Sequence, residues 1–270
     1  MTADGKNNGD IKEENGNAST VENSGVTTKK KDSVKTIKQF SGKSLCKTGD
    51  ENNIFKTYSD FLCSFELCKG THVALFDERG DFGLKDKSSK TFVVSVSEIK
   101  DPKKFMEIAL KYPKNTKGYS DEDSLKFNTS NDEIREKVIK DIAESGATIH
   151  VRTYHKDKTM GPDEKIKASR IHKDMIREVS DEMMKCTEAK SFYVVIDNTS
   201  NLRGNAGCKV VHASARNKKD ITDCKQLKAR SELILQTHDF IVGGIGHYEE
   251  NDDDIYVKQL KDNVKSWKRL

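Results

Sequence analysis

The sequence lacks any apolar run long enough to cross a membrane, since no stretch approaches the roughly 18 residues that a spanning helix needs. Its first residues also lack the short apolar segment that a secretory signal requires. We therefore expect a cytoplasmic protein that has no membrane partner.

Several common functional motifs are missing as well. The chain contains no phosphate-binding loop of the Walker type, no glycine-rich dinucleotide fingerprint and no nucleophile elbow. These absences argue against a P-loop nucleotide hydrolase, a Rossmann dehydrogenase and an α/β-hydrolase. Evidence for function has to come from other side chains.

Net charge is also small, at +4, although 34% of the residues are charged. This balance is weak evidence for a polyanionic partner. Locally, however, seven lysines occupy residues 29–47, and residues 201–220 form a second basic segment. Either segment could contact nucleic acid, but the first is more simply a solvated linker, and the second could equally be a solvated loop.

Cysteine spacing gives little evidence for a metal site. A structural zinc site usually draws on two close pairs of ligands. Cys63 and Cys68 form one such pair, with Cys46 upstream, and the other three cysteines are scattered. Because no secretory signal is found, we expect reduced thiols, and we leave open whether Cys46, Cys63 and Cys68 bind metal.

Composition divides the chain into three parts. Residues 1–52 are rich in polar residues and have almost no large apolar side chains before Phe40, which predicts a disordered tail. Residues 53–250 have the composition of one α/β domain. Residues 251–270 place Tyr256, Leu260, Val264 and Trp267 at helical spacing, which predicts a C-terminal amphipathic helix that packs on the domain or on a second copy of the chain.

Periodicity in the central part predicts alternating strands and helices. Short β-branched or apolar runs predict strands at 71–77, 91–97, 124–128, 147–153 and 192–197. Amphipathic spacing predicts helices at 101–112, 132–145, 163–186 and 231–247. Three strands in an antiparallel meander, followed by strands parallel to the first, give a ribonuclease-H-like mixed sheet flanked by helices.

Three carboxylates occupy informative positions in this scheme. Asp77 and Asp197 each end an apolar strand, and the carboxyl ends of parallel strands lie side by side in such a sheet. Asp239 belongs to a polar or small stripe on the last predicted helix. At about 100° per residue, this stripe consists of Glu232, Gln236, Asp239, Gly243 and His247.

A polar stripe between apolar flanks must find partners, because an unpaired buried carboxylate costs several kcal/mol. A cation, a basic side chain or a set of hydrogen-bond donors is therefore expected to meet Asp239. Gly243, Gly244 and Gly246 each weaken a helix by about 1 kcal/mol relative to alanine. Their presence predicts either close backbone approach or the end of the helix.

Two motifs resemble a known family. Residues 76–83 read FDERGDFG and resemble the D-E-S-G-D-x-G signature of the large uncharacterised prokaryotic family called domain of unknown function 3800. Residues 235–244 read LQTHDFIVGG and resemble its L-Q-x-A-D-x-x-A-G signature, while residues 195–197, VID, are similar to its strand that ends in aspartate. The resemblance covers roughly residues 71–248.

The resemblance implies a ribonuclease-H-like fold with an acidic site carried by Asp77, Glu78, Asp197, Gln236 and Asp239. Two residues depart from the motifs, since Arg79 replaces the usual serine and His238 the usual alanine. Each adds a potentially cationic group, which could pair with an aspartate and make the site structural.

We therefore expect a metal-dependent nuclease or a related phosphoryl-transfer enzyme. Asp77, Asp197 and Asp239 would hold two Mg²⁺ or Mn²⁺ ions roughly 4 Å apart. Glu78 would be a fourth ligand or a general base, and Gln236 would orient a ligand or bind phosphate. A turn residue or helix cap is the more ordinary role for Asp197, which is followed by polar residues.

Two alternatives remain open from the sequence. The first is a non-enzymatic nucleic-acid-binding or interaction protein that keeps the fold and uses its basic segments. The second is a metal-dependent hydrolase that acts on a substrate other than nucleic acid.

Overall fold

The computed structural model describes residues 57–63, 67–82, 88–114, 117, 124–156, 164–199, 202 and 204–270. Among these residues, the strands are β1 Thr71–Arg79, β2 Thr91–Ile99, β3 Thr148–His155, β4 Ser191–Asp197, β5 Asp220–Leu227 and β6 Val264–Arg269. The α-helices are α1 Tyr58–Cys63, α2 Pro102–Lys111, α3 Asp132–Glu144, α4 Glu164–Cys186, α5 Ala206–Ala215 and α6 Leu233–Asn251, and a 3₁₀ turn at Ala229–Ser231 precedes α6.

The six strands form one sheet in the order β5-β4-β1-β2-β3-β6. β2 runs antiparallel to both β1 and β3, whereas β4 is parallel to β1, β5 to β4 and β6 to β3. Five strands therefore point the same way, and their carboxyl ends share one edge of the sheet. This arrangement confirms the predicted mixed α/β sheet, but the third strand of the antiparallel meander is β3 and not the predicted strand at 124–128.

Helices cover both faces of the sheet. Val73, Leu75 and Val195 point into a core formed with α2, α3 and α6, whereas Ala74 and Phe76 point into a second core formed with α4 and α5. This alternation follows from the pleat of a strand, in which successive side chains point to opposite faces. It also determines which carboxylates lie on the same face of the sheet.

Local capping signals locate two of the helices correctly. Asp101 accepts a hydrogen bond from the backbone N–H of Lys104, and Pro102 occupies the first helical position of α2. Gly146 adopts a positive φ of 77° just after α3, as the glycine that ends a helix commonly does. Both helices lie within a residue or two of their predicted bounds.

The prediction of a basic loop at 201–220 is wrong over most of its described part, because residues 206–215 form α5 and Asp220 begins β5. α5 mixes small, polar and apolar residues, and β5 is an edge strand whose residues are mostly half-buried. Neither element therefore shows a clear apolar period in the sequence.

The predicted C-terminal helix is also wrong. Residues 255–263 form successive turns joined by hydrogen bonds between residues three or four apart, which imitate helical spacing. Tyr256 and Leu260 do point into the core, but the next residues form β6, which pairs with β3. The segment therefore packs on the domain and completes its sheet, so the sheet extends beyond the predicted boundary at residue 250.

The expectation that all thiols are reduced is wrong as well. A disulfide joins Cys208 of α5 to Cys224 of β5, while Cys63, Cys68 and Cys186 are free. Cys46 and the predicted tail at 1–52 lie outside the described residues, so neither the tail nor metal binding by the three N-terminal cysteines is tested.

Candidate acidic site

Asp77 and Asp197 lie side by side at the carboxyl edge of the sheet. Asp197 is the last residue of β4, and the parallel register with β1 pairs the two residues that immediately precede the aspartates. Leu75 and Val195, two residues earlier, point into the core beneath α6. Because side chains alternate along a strand, both carboxylates face the layer that contains α6.

Asp239 belongs to the first half of α6, where the predicted polar stripe meets backbone donors. The backbone N–H of Phe127 donates to Asp239 Oδ2 at 2.7 Å. One helical turn earlier, the N–H of Leu125 donates to Gln236 Oε1 at 3.1 Å. Of the three expected kinds of partner, the structure provides donors, and they come from a segment more than a hundred residues away.

These two contacts also explain why the predicted strand at 124–128 is wrong. In a strand, alternate N–H groups donate to a neighbouring strand. Here the alternate N–H groups of residues 125 and 127 donate to side chains of α6, and the segment remains a loop. We call residues 124–130 loop 124–130. Its carbonyl at Phe127 also accepts a hydrogen bond from Arg135 Nε at 2.8 Å.

The glycines of α6 allow this close approach. A Cβ atom at Gly243 would collide with the ring of Phe127, and one at Gly246 would collide with the side chain of Arg79. The predicted close backbone approach is therefore confirmed. The alternative is excluded, because α6 continues to Asn251.

We call Asp77, Asp197 and Asp239 the acidic cluster, because the charges of Asp197 and Asp239 act on Asp77 and the charge of Asp197 acts on Asp239. Asp77 is only 6% exposed. Burial raises its pKa well above the ordinary range, and the charges of Asp197 and Asp239 raise it further. Within the described part of the chain, its carboxylate accepts one hydrogen bond, from the adjacent N–H of Glu78 at 2.7 Å.

The other two carboxylates have more partners. Burial also raises the pKa of Asp197, although its Oδ1 accepts the N–H of Ala229 at 2.9 Å. For Asp239, burial again raises the pKa, and the hydrogen bond from Phe127 only partly offsets this. All three acids are therefore harder to ionise than usual, and a cation would stabilise their charged forms.

Two cationic side chains lie near the cluster. Arg79 donates to Asn128 Oδ1 at 2.9 Å, packs 5.2 Å from the centre of the Phe127 ring and lowers the pKa of Asp239 through its charge. Lys126 lowers the pKa of both Asp197 and Asp239 in the same way. The sequence identified Arg79 but gave no signal for Lys126, because only the folding of loop 124–130 onto α6 brings it here.

His238 is not a second cation. It is fully buried, and its Nε2 lies 3.1 Å from the hydroxyl of Ser95. Burial lowers its pKa to about 3, so the imidazole is neutral at physiological pH. Of the two departures from the family motif, only Arg79 therefore adds positive charge to the site.

Glu78 lies on the opposite face of the sheet from Asp77. Its carboxylate contacts Nε2 of His172, a buried residue of α4. The charge of Glu78 still raises the pKa of Asp77 and Asp197. The structure does not, however, place this carboxylate in the layer that holds the three aspartates.

Gln236 and Glu232 have structural partners. The Gln236 side chain accepts a hydrogen bond from the N–H of Leu125 through Oε1 and donates one from Nε2 to the carbonyl of Arg230. Both the oxygen and the nitrogen of the amide therefore have partners within the protein. Glu232 accepts hydrogen bonds from the N–H and hydroxyl of Ser59, both at 2.8 Å, and ties α1 to the start of α6. Gln236 therefore fixes loop 124–130 beside the cluster.

The three aspartates have the ligand chemistry that a hard divalent cation needs, because Mg²⁺ and Mn²⁺ prefer carboxylate oxygens. In the part of the chain that the structure describes, no three histidine, cysteine or acidic side chains are arranged as a metal-binding group. The three aspartates therefore match such a cation in ligand type, but not in arrangement among the described residues.

A polar depression of about 470 Å³ opens beside the cluster. Arg79, Lys90, Asn128 and Glu250 line it, together with serines that precede β2. It lies at the carboxyl edge of the sheet, between the end of β1 and the end of α6. By contrast, α5 from the predicted basic segment packs in the core of the opposite face.

A scan against protein-family models finds no match, and neither does a search of curated proteins. The resemblance to domain of unknown function 3800 therefore stays a prediction. Within the described residues, no helix is long and apolar enough to span a membrane.

Proposed function

We propose that the protein is a metal-dependent nuclease or a related phosphoryl-transfer enzyme, with Asp77, Asp197 and Asp239 as ligands of Mg²⁺ or Mn²⁺. One observation carries the proposal. Asp77, Asp197 and Asp239 come from β1, β4 and α6 and lie on the same side of one sheet edge. The charges of Asp197 and Asp239 raise the pKa of Asp77. Three ionised carboxylates in this arrangement destabilise the fold when no cation is bound, whereas a bound cation would stabilise their charges and could serve a reaction.

Each residue at this edge of the sheet would have its own role in the reaction. The three aspartates would hold divalent ions, which would supply activation of water and stabilisation of the leaving oxygen. Lys126 and Arg79 provide positive charge beside the same edge, where a substrate phosphate would enter. Gln236 positions the loop that carries Lys126. We leave Glu78 out of the ligand set, because its carboxylate pairs with His172 on the other face.

A cleavage assay tests this proposal. Labelled single-stranded RNA and DNA are incubated with the protein and Mg²⁺ or Mn²⁺, and products are separated by size. We expect metal-dependent cleavage that Asp77→Asn lowers by more than about 100-fold, since even outer partners of metal sites contribute about 10–100-fold. Asp174→Asn, on α4 at the opposite face, is the matched control and should keep full activity.

Two results would redirect the proposal. Equal cleavage by the wild type and Asp77→Asn would show that the acidic cluster is not catalytic. Salt-dependent binding of either strand without cleavage would favour the non-enzymatic alternative.

A further inference from the structure

A groove of about 800 Å³ lies between the C-terminal half of α6 and the edge strand β6. Its floor is formed by Tyr248, Val257, Val264 and Trp267. The two aromatic rings meet edge to face, with their centres 5.6 Å apart. The volume lies within the range of about 300–1,000 Å³ that is typical of ligand sites.

The rim of the groove is strongly basic. One acid, Asp254, faces four cations, which are Lys258, Lys261, Lys268 and Arg269. Lys258, Lys268 and Arg269 are exposed by 72%, 61% and 58%, so solvent and ligands reach their charges.

Three of these cations also contact an acid. Lys258 lies 2.8 Å from Asp254, Lys268 3.7 Å from Glu178 and Arg269 3.2 Å from Glu249. The Lys258–Asp254 and Lys268–Glu178 pairs are exposed, and pairs of this kind contribute only about 0–1 kcal/mol. The Glu249 side chain is buried, so this value does not apply to its pair with Arg269. A phosphate can therefore compete for Lys258 and Lys268, with the exposed Arg269 beside them.

The groove and the acidic cluster share the carboxyl edge of the sheet. Trp267 and Arg269 lie near the end of β6, which is parallel to β1 and β4. Tyr248 follows Asp239 by nine residues, about 13 Å along α6, and lies on the opposite side of the helix. The two sites therefore lie on different sides of α6 at the same edge of the sheet.

We infer that this groove binds single-stranded nucleic acid, with bases stacked on the Tyr248–Trp267 pair and phosphates held by the four rim cations. Aromatic side chains combined with a positively charged groove are the usual means of binding single strands without sequence preference. An acidic peptide would satisfy the rim but would not use the aromatic floor. The inference rests on the proposed function in one respect, that the bound strand is the substrate.

The chain contains a single tryptophan, so the fluorescence of Trp267 reports on this groove alone. A short oligothymidine is titrated into the full chain in the presence of EDTA, and the fluorescence of Trp267 and the anisotropy of a labelled strand are both recorded. We expect saturable quenching of Trp267 with the same midpoint as the anisotropy change. An oligoglutamate of equal length should produce neither signal.

The salt dependence tests the rim. Four phosphate contacts predict a slope of about −2.8 for log affinity against log salt concentration, at roughly −0.7 per contact for a single strand. Lys258→Gln combined with Lys261→Gln should make that slope about 1.4 less steep. Lys137→Gln combined with Lys185→Gln is the control, because both residues are exposed and paired with an acid on their own helices. The control should leave the slope unchanged.

Three outcomes would overturn the inference: no binding at low salt, anisotropy binding without quenching of Trp267, or preferential binding of the oligoglutamate. These outcomes are distinguishable from failure of the proposed function. Binding in EDTA needs no metal, so a quenched Trp267 with no metal-dependent cleavage would support the groove and refute the nuclease. Cleavage that is lost in Asp77→Asn, with the fluorescence of Trp267 unaffected by the strand, would support the nuclease and refute binding in the groove.

Discussion

At the scale of single residues, burial and two acidic neighbours give Asp77 an unusual effect on stability. Its pKa in the folded chain lies above the value of about 3.9 for an unfolded aspartate. Below the unfolded pKa both states are protonated, and the stability that this group contributes is fully present. As the pH rises, the unfolded chain ionises first, so that stability is lost until the folded pKa is passed.

Asp77→Asn should therefore stabilise the metal-free protein at neutral pH. The amide removes the charge that burial and the other two aspartates disfavour, and its oxygen can still accept the N–H of Glu78. Each kcal/mol regained raises the melting temperature by about 2–4 °C in a domain of this size. Thermal unfolding in EDTA as a function of pH measures the effect, and the gain should vanish below the unfolded pKa. A variant less stable than the wild type at neutral pH would contradict this electrostatic interpretation.

The sequence predicted some site residues and missed others for clear reasons. Asp77 and Asp197 follow apolar strands, and Asp239 stands in a polar stripe, so local patterns identify all three. The alternation of a strand also places Glu78 opposite Asp77, although the family motif groups the two together. No local pattern identifies Lys126 or His172, because their positions depend on contacts with distant segments.

At the scale of elements, α6 and loop 124–130 act as one unit. Gln236 and Asp239 accept the two alternate backbone N–H groups of the loop. The ring of Phe127 packs against Arg135, whose guanidinium lies 4.3 Å from the ring centre, and against Tyr256. Contacts on both sides therefore fix the loop that brings Lys126 to the cluster.

Gly243→Ala should destabilise the protein despite the helix propensity of alanine. The substitution gains up to about 1 kcal/mol in propensity, but its methyl group collides with the ring of Phe127. Overpacking of this kind typically costs about 1–3 kcal/mol, and here it also displaces loop 124–130. Denaturant unfolding measures the loss of stability.

Gly246→Ala is the matched control for that variant. Its methyl group meets only the flexible side chain of Arg79, which can move away. We expect a smaller loss of stability than for Gly243→Ala. A Gly243→Ala protein as stable as the wild type would show that loop 124–130 is not tightly held against α6.

Elements that the sequence predicted correctly carry strong local signals, such as the Asp101 cap of α2 and the Gly146 end of α3. Those that it missed depend on tertiary contacts. β5 and β6 are edge strands, each paired on one side alone, and β6 pairs with β3, which lies more than a hundred residues earlier in the sequence. The turns at 255–263 place Tyr256 and Leu260 at helical spacing, so periodicity alone could not separate them from a helix.

At the scale of the whole molecule, the sheet order explains why charged residues that are distant in sequence meet at one edge. Five parallel strands bring their carboxyl ends together, which places the acidic cluster near β1 and β4 and the basic groove near β6. The net charge of +4 hides this separation, because opposite charges are concentrated in different places. The sequence predicted the sheet, but the groove arises only when β6 joins it.

Calorimetric titration of the protein with Mn²⁺ tests the central claim most directly, since it asks whether the three aspartates form a metal site. Wild type, Asp239→Asn and the control Asp174→Asn are compared after thermal unfolding confirms that all three are folded. We predict saturable binding to the wild type and the control that is lost in Asp239→Asn, whose amide can still accept the N–H of Phe127. Equal binding by all three proteins, or no binding by the wild type even with a short nucleic acid present, would contradict a metal site at this cluster.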